Sequence, residues 1–223
     1  MTTTTLRILV VCTGNIHRSP LTQALLRTWA DWYLDDELAS RIEIASAGTA
    51  ALVGAPMSEE AATIARALKA DGSRHRATAL TEATIAAADL ILTAEVCHRD
   101  RVVSLVPRAL QRTFTVREAG RAAAQMLGAD DGLAEPRSRD DIAARAGRLA
   151  LFRSRGDDDI IDPQGLPPEA ALQMTAELVP ASAVLARLLL GMPSHAVDAY
   201  AKATTDTGML SALIAGAEQR GAQ

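Results

Sequence analysis

Aromatic side chains are nearly missing: Trp, Tyr and Phe together make up 3% of the chain. Its core must therefore be filled by aliphatic side chains and alanine. A basic excess is missing too, with 23 Lys and Arg against 27 Asp and Glu and a formal net charge of -4. Proteins that hold nucleic acid or a membrane surface by charge usually carry such an excess, so neither is an expected partner. Cysteine is confined to Cys12 and Cys97. Two thiols cannot make a disulfide scaffold, and they suit a reducing compartment. Long apolar runs are lacking as well. Ile8 to Val11 is too short for a signal-peptide core and leads into a turn without a cleavage pattern. Leu178 to Met192 is broken by Arg187 and falls short of the ~20 residues that span a bilayer. The expected location is the cytoplasm. The 223 residues suffice for one sizeable core and an appendage. Residues 1–193 are expected to form the main domain, with 194–223 as a helical tail of no assigned role.

What is present is an alternation. Leu6 to Val11 is a compact apolar run, suited to a strand buried on both faces. A turn follows, then a helix expected from Pro20 to Leu34 with Ser19 as its cap. Ile42 to Ala47, Asp89 to Ala94 and Arg112 to Val116 read as further strands. Ser58 to Ala70 and Glu95 to Val106 read as helices. Strands alternating with helices predict an α/β three-layer sandwich, with a central four-stranded parallel sheet and helices on both faces. Beyond this the pattern loosens. Gly128 to Arg139 reads as a loop, Asp140 to Phe152 as a helix and Arg153 to Asp159 as a solvated charged run. Pro168 to Leu190 is a long helix stopped by Gly191-Met192-Pro193.

The segment Cys12-Thr13-Gly14-Asn15-Ile16-His17-Arg18-Ser19 links the first strand to the first helix. Strand carboxyl ends are where open α/β sheets bind ligands. The helix start adds unpaired N–H groups and the positive end of the dipole. Gly14 and Asn15 tolerate the left-handed backbone of a tight loop. Such a loop cradles a tetrahedral anion. The dipole and Arg18 favour a nucleophilic Cys12 thiolate. The guanidinium offers a planar fork to two phosphoryl oxygens. Ser19 can also donate to the sulfur. Thr13, Gly14, Asn15, Ile16, His17 and Ser19 are thus the expected substrate-binding residues, with Cys12 and Arg18 catalytic. Displacing an alkoxide or phenoxide also needs an acid, worth ~100- to 10,000-fold in rate. Asp162-Pro163 is the candidate, because proline fixes where the preceding carboxylate points. Asp157, Asp158 and Asp159 compete, but three carboxylates in a row usually lie in solvent. No His, Cys and carboxylate group is seen at metal-ligand spacing, so neither metal nor cofactor is expected.

Cys12 through Pro20 resembles the signature of the low-molecular-weight protein tyrosine phosphatase family. Ser46-Ala47-Gly48-Thr49, Gly54-Ala55-Pro56, His75-Arg76-Ala77 and Ala88 to Leu92 resemble further family segments, over roughly Leu6 to Leu190. The resemblance implies a phosphocysteine mechanism acting on phosphorylated protein or small aryl phosphates. It implies Asp162 as the acid, since the family's acid lies in an Asp-Pro pair. It also implies a hydrogen-bond network of Asn15, Ser19, Ser46 and His75 that holds the loop.

This chain departs from the family in places. His17, expected to point outward, stands where many members carry a second cysteine. Leu52, Gln164 and Gly165 stand where aromatics usually wall the site. Ile16 is the residue type associated with phosphotyrosine, whereas threonine there goes with phosphoarginine. Phosphoarginine phosphatase, arsenate reductase and a non-catalytic phosphate-binding adaptor are the alternatives. Arsenate reductases need further thiols, and Cys97 reads as a packing residue without a partner. Peroxide is expected to inactivate the enzyme without disulfide rescue at Cys12. Mass spectrometry of the oxidised protein checks this, and a Cys12–Cys97 disulfide contradicts it.

Overall fold

The computed structural model describes residues 5–129 and 134–221. Its strands are β1 (Leu6–Cys12), β2 (Ile42–Gly48), β3 (Leu90–Thr93) and β4 (Thr113–Thr115). They form one sheet in the order β2-β1-β3-β4, parallel throughout. The helices are α1 (Arg18–Tyr33), α2 (Asp36–Ser40), α3 (Glu59–Ala67), α4 (Glu82–Ala87) and α5 (Val96–Leu105). They continue as α6 (Val116–Ala129), α7 (Arg139–Arg148), α8 (Glu169–Leu190), α9 (Ser194–Thr205) and α10 (Thr207–Gly221).

The strand period of two builds the three layers. Leu6, Ile8 and Val10 face one way, into a core shared with Leu21, Leu25 and Trp29 of α1, Ile64 of α3 and Leu178 of α8. Leu9 and Val11 face the other way, onto Ile85 of α4 and Val102 of α5. Both faces of β1 are thus covered, as its unbroken apolar run predicts. The four-stranded sandwich agrees with the sequence expectation.

Three details correct it. The first helix begins at Arg18, with His17 at its N-cap position, so Ser19 lies inside the first turn. Pro20 sits at the third helical position, where its missing N–H would have no intrahelical partner anyway. The helix α6 was not foreseen. It buries Val116, Ala119, Ala122, Ala123 and Met126, a stripe at helical spacing. The run from Arg153 to Asp159 is fastened as well as solvated, with Arg155, Gly156, Asp157 and Asp159 exposed. Asp157 pairs with Arg117 (2.9 Å) and Asp158 with Arg121, both on α6. Asp159 accepts the Val96 N–H at 2.7 Å and so holds the start of α5. Of the loop expected over Gly128 to Arg139, residues 130–133 lie outside the described residues.

The long apolar helix α8 ends at Gly191, whose φ of 74° is the left-handed cap that glycine supplies. Among the described residues it alone is long and apolar enough to cross a membrane, and 56% of its apolar stretch is buried in the protein. It packs against α1, α6 and α9. Tyr200 of α9 meets Trp29 edge-on at 4.9 Å between ring centroids. Its hydroxyl donates to the Leu68 carbonyl at 3.3 Å. The α6–α8 contact is close enough that a Cβ on Gly120 would lie 2.9 Å from the Ala181 backbone. Gly120→Val is expected to lower unfolding stability by about 2 kcal/mol through overpacking. Urea denaturation measures it, and unchanged stability contradicts this account of the contact.

Candidate active site

The phosphate-sized loop is shaped by where its carbonyls go. Those of Cys12, Thr13, Gly14 and Ile16 accept from the amides of Thr49, Ala50, Leu52 and Ser58, at 2.9–3.0 Å. The Asn15 carbonyl accepts from His75 Nε2 at 2.7 Å. A trans peptide points its N–H opposite to its C=O. Five carbonyls tied outward therefore turn the loop amides inward, the arrangement of an anion nest. Asn15 supplies the one left-handed residue this requires, at φ 57°. Gly48 lets the two segments approach, since a Cβ there would lie 2.4 Å from the Thr13 carbonyl oxygen.

The Asn15 amide is oriented by its partners. The Thr78 N–H donates to Oδ1 at 2.8 Å, so Nδ2 must face the other way. It donates to Ser19 Oγ and Ser46 Oγ, both at 2.8 Å. Ser46 passes its own proton on to Gln23 Oε1 at 2.7 Å. Ser19 Oγ lies 3.0 Å from Cys12 Sγ, and toward a thiolate, which can only accept, it is the donor. Asn15, Ser19, Ser46 and His75 are thus brought together, and Gln23 and Thr78 extend the network. The Cys12 sulfur lies buried at the strand end, 2% exposed.

Arg18 is 1% exposed, which for a cation demands partners. Its Nη1 pairs with Glu95 and donates to the Ile160 carbonyl at 2.9 Å. Its Nη2 pairs with Asp162 and donates to Thr13 Oγ1 at 3.2 Å. Nε is buried without a partner, a donor left over for an anion. Asp162 is thus brought to Arg18 across the sequence, while Asp157, Asp158 and Asp159 are engaged elsewhere. Ile160 is fully buried, and its N–H donates to the Ala94 carbonyl at 2.9 Å. That bond docks the segment before Asp162 onto the end of β3.

Glu95 was missed by sequence reasoning, as was His98, whose Nε2 lies 2.9 Å from Thr13 Oγ1. Both follow β3 in a stretch whose pattern announced only a helix. Burial would raise the Glu95 carboxyl, but the hydrogen bond and charge of Arg18 outweigh it and hold it below its usual range. Burial lowers His17, His75 and His98 alike, against the pull of nearby carboxylates on His17 and His98. The positive field at neutral pH therefore comes from Arg18 and the loop amides. His17 does not point outward: it is buried, with Glu60 at 4.0 Å.

Cys97 is likewise not a packing residue. It is exposed, and its Sγ lies 3.4 Å from Glu95 Oε2. Burial first, then the Glu95 charge, pushes its thiol up. The expectation of no metal-type grouping also needs revision, because Glu95, Cys97 and His98 bring one ligand atom each to within 4.8 Å of the others. Leu52, whose N–H is bound to the Gly14 carbonyl of the loop, is exposed, as are Val53 and Leu166.

Known proteins resemble this chain in sequence and in fold. The model of the low molecular weight phosphotyrosine protein phosphatase family matches residues 7–142. A probable low molecular weight protein-tyrosine-phosphatase, EpsP, from Ralstonia nicotianae is 36% identical over 50% of this chain and 70% of its own. A protein-arginine-phosphatase from Geobacillus stearothermophilus is 33% identical over 58% of this chain and 78% of its own. The crystal structure of the Erwinia amylovora tyrosine phosphatase AmsI shares the fold, with a TM-score of 0.59. It is 24% identical and covers 83% of this chain and 93% of its own. With the match spanning more than half its length, the chain belongs to the low molecular weight phosphotyrosine protein phosphatase family.

Proposed function

We propose that this protein is a cytoplasmic phosphatase that hydrolyses phosphotyrosine in proteins, with Cys12 as nucleophile, Arg18 as anion clamp and Asp162 as general acid. The observation that carries the reading is the convergence on Arg18. One buried guanidinium is shared by the loop that holds the thiol and by the carboxyl of Asp162.

The dianion enters the ring of inward amides and meets the free Nε of Arg18. It competes with Asp162 for Nη2, because a phosphoryl oxygen and a carboxylate seek the same donor. The Cys12 sulfur attacks in line, a sulfur–phosphorus bond forms and the oxygen–phosphorus bond breaks. Asp162 gives its proton to the leaving oxygen. In the second step Asp162 takes a proton from water, which attacks phosphorus and expels the thiolate. The Ser19 hydroxyl, directed at the sulfur, stabilises that leaving group. Amides and guanidinium hold the equatorial oxygens through both steps.

Ile16 and the relatives named as tyrosine phosphatases favour phosphotyrosine. The arginine phosphatase among the relatives makes phosphoarginine the alternative to test. Phosphotyrosine peptides are expected to turn over fastest in a panel that includes phosphoarginine and phosphoserine peptides. A phosphoarginine preference contradicts the substrate assignment. With p-nitrophenyl phosphate, Cys12→Ser should abolish turnover, and equal release of p-nitrophenol by that variant excludes Cys12 as nucleophile. Asp162→Asn should lower kcat by ~100-fold or more. Wild-type turnover in that variant removes Asp162 from the mechanism. Ser19→Ala should lower kcat about 10-fold through one lost hydrogen bond to the leaving sulfur, and an unchanged kcat refutes that role.

A further inference from the structure

We propose that Glu95, Cys97 and His98 form a binding site for a zinc-type divalent cation, and that its occupancy inhibits the phosphatase site beside it. The three ligand atoms lie within 4.8 Å of one another at the start of α5. Each is one ligand type of a tetrahedral zinc site: carboxylate oxygen, thiolate sulfur and imidazole nitrogen. Three protein ligands leave a fourth position for water. A mixed set containing a thiolate selects Zn2+ over Mg2+ or Ca2+, which prefer all-oxygen shells.

The second observation concerns His98, which is 2% exposed. Its Nε2 is engaged by Thr13. Its Nδ1 is buried and has no partner. A buried ring nitrogen left without a hydrogen bond is costly, so the proposed histidine ligand is Nδ1 rather than the engaged Nε2. Cys97 reaches solvent, which gives a cation its entry.

The far side of two ligands grips the phosphate loop. Glu95 divides its carboxylate, with Oε1 on Arg18 and Oε2 toward Cys97. His98 with a metal on Nδ1 carries its proton on Nε2 and must donate to Thr13, as outer partners of metal-bound histidines do. A cation that displaces the Cys97 proton draws on Glu95, weakens its hold on Arg18 and displaces the guanidinium from its position beside the loop. The inhibition rests on the phosphatase reading above, whereas the binding does not.

Binding is therefore measured first, in Cys12→Ser protein, where the loop thiol cannot contribute. Co2+ as a spectroscopic probe should give a thiolate-to-metal charge-transfer band, and Zn2+ should displace it at one ion per chain. Cys12→Ser/Cys97→Ser should lose the band and weaken Zn2+ binding at least ~10-fold. No band in the single variant, or equal Zn2+ affinity in the double variant, overturns the site whatever the enzyme's activity. In the wild-type background, Zn2+ should inhibit p-nitrophenyl phosphate hydrolysis, and Cys97→Ser should keep basal turnover and need at least ~10-fold more Zn2+ for half-inhibition. Equal sensitivity of the two overturns the coupling.

Discussion

Leaving a buried charge unpaired costs about 3–5 kcal/mol, and Arg18 is a cation with 1% of its surface exposed. Its partners come from three separate parts of the chain: Thr13 in the loop, Glu95 after β3, and Ile160 with Asp162 some 140 residues on. Docking those segments on one guanidinium fixes where the loop sits relative to the carboxyl. The fold and the site are thus joined at a single side chain. Its Nε stays buried and unpartnered, so the cost of burying Arg18 is only partly offset within the chain. An anion bound in the loop, as proposed, would supply the missing acceptor.

The sheet prepares that position. β1 lies between β2 and β3, covered on both faces, and delivers Cys12 to the carboxyl edge. The 48–58 segment then takes up the loop's carbonyls, and Asn15 distributes its amide over Ser19, Ser46 and Thr78. The result is an arrangement in which Ser19 Oγ, accepting from Asn15, lies 3.0 Å from the sulfur and donates to it when Cys12 is a thiolate. Rigid support of this kind is what holds charge-stabilising donors in place before a reaction begins.

Much of this was legible in the sequence, for reasons that differ by residue. β1 announced itself because a doubly covered strand is apolar at every position. Cys12, Arg18 and Ser19 were legible because their spacing is fixed by local loop geometry. Asp162 was singled out because proline restricts the residue before it, and the structure pairs it with Arg18. Glu95 and His98 were not, since their roles depend on a contact across the sheet that leaves no local pattern. The helix α6 was legible but overlooked, since Val116, Ala119, Ala122, Ala123 and Met126 recur at helical spacing. The helix start at Arg18 was misplaced by two residues because Ser19, a good capping type, has a sulfur and an amide to bind instead. His17 was expected to point outward, whereas it is buried, and that burial lowers its pKa.

The account rests on covalent chemistry at one sulfur. The most direct measurement is rapid acid quenching of wild-type protein during turnover of a substrate with a radiolabelled phosphoryl group, followed by peptide mapping. The account predicts label on the peptide containing Cys12. Turnover with no label on Cys12, or label on another residue, would contradict it.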